Sequence, residues 1–232
     1  MEMEALKRST MIVTMFITIL SVIIFGSNRS AYANSDAESE GRVRFQTGDL
    51  RIDFASDIHF GRHEIINEDM TLYARPLLTM DENDEHIEQF VSVTDTRGTM
   101  QGWSLRVRQN GQLTSTTETQ RDTLVDAELS IVGTFATREL STTGNVTHPN
   151  PSEVPAVFEI TLDASGETSS LIAQAGVGQG SQNWLMQFGV PSGQGENIVN
   201  NNLRLFIPGT TPRDPVEYTT TLTWYIIHAP GN

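Results

Sequence analysis

Histidines and carboxylates are the side chains of this sequence whose spacing could support metal or acid–base chemistry. His59 and His63 are four residues apart, which on a helix would place two imidazoles on one face, as in a metal site. They follow a strand-like segment in a stretch that contains Gly61, and the glutamate of an H-E-x-x-H motif is absent. We therefore expect two ordinary loop histidines and no metal site.

The acidic run at residues 81–85 (DENDE) has the carboxylate density of a calcium loop. An EF-hand in this register needs glycine where His86 stands and glutamate where Ser92 stands, so the pattern does not fit. A solvated acidic loop is the main expectation, and an adventitious cation site is the alternative.

Other catalytic patterns are missing from the sequence. There is no cysteine, Lys7 is the only lysine, and no G-x-S-x-G nucleophile motif occurs. The segment from Gly176 to Gly180 contains three glycines but lacks the strand–helix context of a phosphate-binding loop. Because 29 acidic residues always allow some pair of carboxylates, a glycosidase site stays conceivable, but no pair is singled out. We expect a protein that is not an enzyme and needs no cofactor.

The charge balance restricts the partners of the chain. Fifteen lysines and arginines stand against 29 acidic residues, which gives a formal net charge of −14. A protein that binds nucleic acid needs a basic surface that neutralises phosphates, so no nucleic-acid partner is expected.

The N-terminal residues have the composition of an export signal. Lys7 and Arg8 precede an apolar run at residues 11–25, and the small residues Ala31 and Ala33 follow at a cleavage spacing. As a helix, this run would span about 22 Å, which is short for a hydrocarbon core of about 30 Å. The sequence predicts a signal peptide at 1–33 and a flexible acidic leader at 34–41, with no membrane span after cleavage. A retained membrane anchor is the alternative.

The remaining residues, 42–232, show the pattern of short antiparallel strands. Apolar and polar residues alternate with period two, and turns rich in Gly, Asn and Pro separate the alternating segments. We predict an all-β fold, an antiparallel β-sandwich of the Greek-key or immunoglobulin-like type, in a single domain with long loops. The apolar positions of the alternating segments are Leu50–Phe54, Val91–Val93, Trp103–Val107, Val125–Ile131, Phe158–Leu162, Leu203–Ile207 and Tyr218–Ile226.

Two tryptophan-bearing segments form the most specific pattern. An Asp95-Thr-Arg97-Gly98 turn precedes Trp103-Ser-Leu105, and a Tyr-Thr strand from Tyr218 leads to Trp224-Tyr-Ile226. Together, in this order and after an export signal, these segments resemble the WxL domain of Gram-positive cell-surface proteins. The distal motif departs from that pattern because isoleucine replaces its leucine. This swap conserves apolar bulk, so it should preserve packing.

The resemblance implies a secreted, non-catalytic protein at the cell surface of a Gram-positive bacterium, attached non-covalently to the cell wall. Peptidoglycan is the implied ligand, and companion surface proteins of the same locus are implied partners. The absence of an L-P-x-T-G sorting signal agrees with non-covalent attachment. The alternative is a structural or interaction subunit of a multi-protein surface complex, whose association with the wall is indirect.

Alternation divides the motif residues between two faces. The family motif residues should lie mainly in the core; they are Trp103, Leu105, Tyr218, Trp224 and Ile226. The outward-facing neighbours are candidate wall contacts, since arginine can pair with carboxylates and tyrosine can stack on sugar rings. These candidates are Ser104, Arg106, Arg108, Thr221, Thr223 and Tyr225. A solvated strand surface is the alternative for the outward face.

Overall fold

Alternating apolar residues and frequent threonines give this chain its strands, because β-branched side chains pack well on a pleated surface. The computed structural model describes residues 42–78, 86–141, 143–146, 148, 150–190, 192 and 198–228. The predicted signal peptide, the acidic leader and the acidic run at 81–85 lie outside the described residues. The described part is all-β, with one 3-10 turn at Pro151–Glu153 and no α-helix.

Three four-stranded antiparallel sheets and two short strand pairs make up the described fold. Sheet 1 has the strand order β1-β5-β13-β9, sheet 2 has the order β10-β12-β6-β16, and sheet 3 has the order β11-β8-β14-β2. The two short pairs are β7 with β15 and β3 with β4. The strands are β1 (Leu50–Ala55), β2 (Met70–Ala74), β3 (Leu77–Leu78), β4 (His86–Ile87), β5 (Phe90–Asp95), β6 (Trp103–Gln109), β7 (Thr114–Ser115), β8 (Glu128–Ile131), β9 (Thr134–Thr137), β10 (Ala156–Val157), β11 (Ile160–Thr161), β12 (Ser170–Ala175), β13 (Gln182–Phe188), β14 (Asn200–Ile207), β15 (Tyr218–Thr219) and β16 (Leu222–His228).

The chain divides into two compact units, residues 1–45 and 46–232. Only residues 42–45 of the first unit are described, and they are exposed and irregular. All sixteen strands belong to the second unit.

One apolar core joins the three sheets, as a β-sandwich requires. Val93 of sheet 1, Leu105 of sheet 2 and Leu203 of sheet 3 are fully buried in the same cluster. Across this core, the ring of Phe188 on β13 stacks on Trp224 of β16, with centroids 6.0 Å apart and planes 12° apart. Burial of such aromatic rings is worth a few kcal/mol each, so this contact ties sheet 1 to sheet 2.

Three predicted strands differ from the structure in detail. Of the segment Phe158–Leu162, only Ile160–Thr161 forms a strand (β11), and Phe158 is 39% exposed. The alternation from Val125 was expected to form one strand, but β8 begins at Glu128 and Val125 is 51% exposed. Asp126 has a φ of 58°, a left-handed conformation that interrupts an extended strand. The segment 218–227 was expected to be one strand as well. It is divided between β15 and β16 because the chain leaves β7 and pairs with β6 after residue 221.

Candidate functional site

The two tryptophan motifs lie on adjacent antiparallel strands. In the pairing of β6 with β16, Leu105 stands opposite Ile226, while Trp224 stands opposite Val107. The leucine of the first motif and the isoleucine of the second are therefore direct cross-strand neighbours, a position that both side chains fill with similar volume.

The inward side of these strands is apolar. Trp103 and Leu105 have no exposed surface, and Trp224 and Ile226 are partly buried against the same core. The indole N–H of Trp103 donates a 2.9 Å hydrogen bond to the carbonyl of Gly180. The single polar group of the buried ring therefore has a hydrogen-bond partner.

The glycine-rich segment 176–180 covers Trp103 instead of forming a ligand loop. Gly180 has a φ of 70°, and a Cβ added there would lie 2.6 Å from Nε1 of Trp103. Only glycine allows both this backbone conformation and this close approach to the indole ring.

Tyr218 has a structural role of its own. Its side chain is partly buried against the cluster that contains Leu113 and Leu205, and its hydroxyl donates to the carbonyl of Arg121 at 2.7 Å. The same hydroxyl accepts a hydrogen bond from the backbone N–H of Asp214 at 2.9 Å. Tyr218 thus joins two loops, and it does not line the face described below.

The Asp-x-Arg-Gly turn forms a clamp at the end of the motif strands. Arg97 donates two hydrogen bonds to the carboxylate of Asp95, from Nε at 2.9 Å and from Nη2 at 2.7 Å. Nη2 also donates to the carbonyl of Gly102, and Nη1 lies 3.3 Å from Nδ1 of His228. The hydrogen bonds from Arg97 lower the pKa of Asp95, and the same pair raises the pKa of Arg97. Asp95 and Arg97 belong to the predicted motif, but their connection of β5 with the start of β6 and the end of β16 was not predicted.

The outward side of β6 and β16 carries most of the predicted contacts. Arg106 stands opposite Tyr225, and Arg108 stands opposite Thr223. The guanidinium carbon of Arg108 lies 5.7 Å from the centroid of the Tyr225 ring, within the range of a cation–π interaction.

Hydrogen bonds with neighbouring loops hold this face in place. Arg106 donates from Nε to the hydroxyl of Ser169 at 3.0 Å and from Nη2 to its carbonyl. The side-chain amide of Asn110 donates to the hydroxyls of Thr221 and Thr223 at 2.8 Å each, and its oxygen accepts from Nε of Arg108 at 3.2 Å. Both threonines therefore support the turn beside the arginines.

Ser104 is not part of the exposed face, contrary to its predicted outward position. Ser104 has no exposed surface, although it lies between the inward-facing residues Trp103 and Leu105 on β6. Its neighbours across the sheet are Gln174 on β12 and Ile227 on β16. A short serine side chain between two longer ones is easily covered, so alternation alone overestimated its exposure.

A cavity of about 520 Å³ opens on this outward face, and its lining also includes Trp224 and Ile226, which are only partly buried on the inward side. It is an open groove, closer to a flat surface than to an enclosed cavity. The lining residues include three of the predicted contacts and two residues that the sequence did not single out, Glu167 and Ser169. The full lining is Arg106, Arg108, Glu167, Ser169, Trp224, Tyr225, Ile226 and Ile227.

Comparison with protein families identifies the family to which this chain belongs. The family model of the WxL domain, described as surface cell wall-binding, matches residues 31–230. The chain belongs to this family. No curated protein and no solved structure matches it. The strand pair that carries both motifs is therefore the strand pair of a WxL domain, and the family places this domain at the cell surface as a wall-binding module.

The two candidate histidines of this WxL domain lie in an exposed segment without regular structure. His59 and His63 are exposed, and Nε2 of His63 lies 2.6 Å from the carbonyl oxygen of Phe60. Among the described residues, no group of three or more His, Asp or Glu side chains could hold a metal ion. The described part also has no helix with the length and apolar character needed to cross a membrane.

One buried carboxyl group of the WxL domain lies outside the cavity. Glu88, between β4 and β5, has no exposed surface, and neither of its carboxylate oxygens has a hydrogen-bond partner in the described part of the chain. Because burial disfavours the charged form, the pKa of Glu88 rises from 4.5 to about 8.

Proposed function

We propose that this protein attaches non-covalently to the cell wall by binding peptidoglycan in the cavity on the outward side of β6 and β16. The cavity carries the proposal, because Arg106, Arg108 and Tyr225 line one concave surface and can pair with carboxylates or stack on sugar rings. The family match supports wall binding in general. We further propose that the chain is not an enzyme and that residues 1–33 export it to the surface of a Gram-positive bacterium.

The net charge favours local recognition over general electrostatic attraction. At −14, the chain is repelled by polyanionic wall polymers, most strongly at low ionic strength. Its affinity for the wall therefore has to come from a few well-placed cations and hydrogen-bonding groups. Arg106 and Arg108 provide two such cations on one strand.

An indirect attachment through a companion surface protein is the second candidate. Among the described residues, β16 pairs only with β6, and Ile227 on it is 44% exposed. An edge strand of this kind can accept a strand from another chain. Sacculi stripped of protein separate the two candidates: direct binding requires no companion protein, whereas indirect attachment gives retention only after that protein is added.

The test of the proposed site is retention of the purified full-length chain on bare peptidoglycan sacculi. We expect the double variant Arg106→Ala/Arg108→Ala to lower the affinity about tenfold or more, since a charged hydrogen bond contributes about 1.5–3 kcal/mol. The matched control is Arg62→Ala/Arg204→Ala, which removes two exposed arginines that do not line the cavity.

Unchanged retention of the Arg106→Ala/Arg108→Ala variant would remove these arginines from the site. Because Arg106 also holds Ser169, the melting temperature of each variant should be recorded with the affinity. An affinity loss with an unchanged melting temperature assigns the effect to the cavity.

A further inference from the structure

Charges of both signs line the cavity without neutralising each other. Arg106 and Arg108 lie on β6, and Glu167 lies on the loop that precedes β12. The carboxylate of Glu167 forms no ion pair or hydrogen bond with any described residue, and Arg108 forms no ion pair with one either. A ligand that occupies the cavity therefore meets both cationic side chains and an anionic one.

The loop that carries Glu167 is held in a defined conformation. The carboxylate of Asp163 accepts hydrogen bonds from the backbone N–H and the hydroxyl of both Ser165 and Thr168. These bonds favour the ionised form and lower the pKa of Asp163 to about 2. Glu167 lies between the two hydrogen-bonded residues, and Ser169, after them, is fixed by Arg106. These bonds hold the loop backbone that places Glu167 at the edge of the cavity.

We infer that the cavity takes a zwitterionic peptide, with a carboxylate at Arg108 and an ammonium group at Glu167. Within peptidoglycan, this chemistry belongs to the peptide stems, which carry free carboxylates and side-chain amines. The N-acetylated sugars of the glycan strand carry no ammonium group, so they leave Glu167 without a partner. Pairing of both charges with one ligand gives selectivity, because a ligand of a single sign is repelled by the lining charge of that sign. This inference rests on the proposed wall-binding function and names the part of the wall that is recognised.

The experiment compares retention of the full-length chain on three preparations. They are native sacculi with free amines, the same sacculi after N-acetylation of the amines, and glycan strands freed of peptides by an amidase. We expect acetylation to weaken binding of the wild-type chain about tenfold, and peptide-free strands to retain it no better than the acetylated sacculi. Glu167→Gln should bind native sacculi as weakly as the wild-type chain binds acetylated ones, and acetylation should not weaken it further.

The control variant is Glu128→Gln, which makes the same change of charge at an exposed position of β8 in sheet 3. It should bind native sacculi like the wild-type chain and lose the same affinity on acetylation. Equal binding of Glu167→Gln and wild type on native sacculi would overturn the inference, as would full retention on peptide-free strands. Both of these results leave wall binding itself intact, whereas a wild-type chain that does not bind native sacculi overturns the proposed function as well.

Discussion

Trp103, the tryptophan of the first W-x-L motif, packs like a core residue. It has no exposed surface, and its N–H donates to the carbonyl of Gly180. A ligand could reach the indole only after the 176–180 segment moved away from it. Trp103 is therefore a determinant of stability, and the proposed ligand contacts on β6 are its outward neighbours Arg106 and Arg108.

We expect Trp103→Ala to lower the free energy of unfolding by about 3–5 kcal/mol, because it removes a large buried side chain and leaves a cavity. Thermal or urea denaturation measures the change. Val177→Ala, at a position that is 82% exposed in the neighbouring loop, is the control and should change stability little. A Trp103→Ala variant that melts like the wild type but is not retained on sacculi would show that the indole contacts the ligand.

At the scale of single residues, the sequence predicted the inward positions better than the outward ones. Alternation with Leu105 and Val107 placed Trp103 correctly, because an apolar side chain on a half-buried strand has only one face on which to lie. The exposure of Ser104 was wrong because it depends on the side chains of two neighbouring strands. Glu167 was missed for a related reason, since its role depends on a loop that folds beside β6.

At the scale of elements, the clamp of Asp95 and Arg97 connects three strands. Their side chains are 3% and 11% exposed, and the pair also reaches the carbonyl of Gly102 and the ring of His228. The turn between β5 and β6 is thereby attached to the last strand of sheet 2. Loss of one partner leaves a buried charge, which is far more costly than loss of a surface ion pair.

We expect Arg97→Ala to lower the free energy of unfolding by about 3–5 kcal/mol in urea denaturation, because it leaves the carboxylate of Asp95 unpaired in a buried position. The matched control is Arg51→Ala, which removes another arginine that pairs with aspartates on either side of it. The side chain of Arg51 is 50% exposed and that of Asp49 is 62% exposed, so the control should cost less than about 1 kcal/mol. Equal losses for the two variants would contradict the structural role of the clamp.

The sequence predicted β5 and β6, which are largely buried, but missed β2, whose exposed residues alternate with less exposed ones. β12 (Ser170–Ala175) was missed because Ile172 and Ala173 are consecutive and both fully buried, so the period-two pattern is absent. A register shift between Leu171 and Ala173 adds to the irregularity. The change of partner between β15 and β16 could not be predicted either, because both strands share one uninterrupted run of β-forming residues.

At the scale of the whole molecule, Glu88 couples the folding equilibrium to pH. In the folded chain the pKa of Glu88 is about 8, whereas a glutamate exposed to solvent has a pKa of 4.5. Between these two values the folded state holds a proton that the unfolded state releases, so stability falls as pH rises through this window. Below pH 4.5 both states are protonated, and the buried carboxyl group then carries no charge penalty.

We expect the free energy of unfolding of the wild-type chain to decrease between pH 5 and pH 8 with a contribution from Glu88 of up to about 1.4 kcal/mol per pH unit. Glu88→Gln keeps the size of the side chain and removes its charge, so its stability should depend less on pH in this range. Urea denaturation at several pH values measures both chains, with Glu128→Gln as the exposed control. Parallel pH profiles for wild type and Glu88→Gln would show that this carboxyl group is not buried in solution.

The overall class of fold was predictable because it depends on local alternation, whereas the arrangement of the strands was not. No local pattern states that residues near 105 pair with residues near 226, or that the cavity forms where they meet. Such pairing is selected by the shared core, in which Phe188 of sheet 1 stacks on Trp224 of sheet 2.

The position of β16 in the chain has a consequence for folding during synthesis. A chain that is made from its N-terminus presents β6 more than a hundred residues before β16, its neighbour in sheet 2. Until then, one edge of β6 is unpaired and Tyr225 is missing from the cavity, since contacts so distant in sequence form late. A chain that is truncated before β16 therefore lacks both the partner strand of β6 and the Tyr225 side of the cavity, so the proposed wall-binding site forms only after β16 has paired.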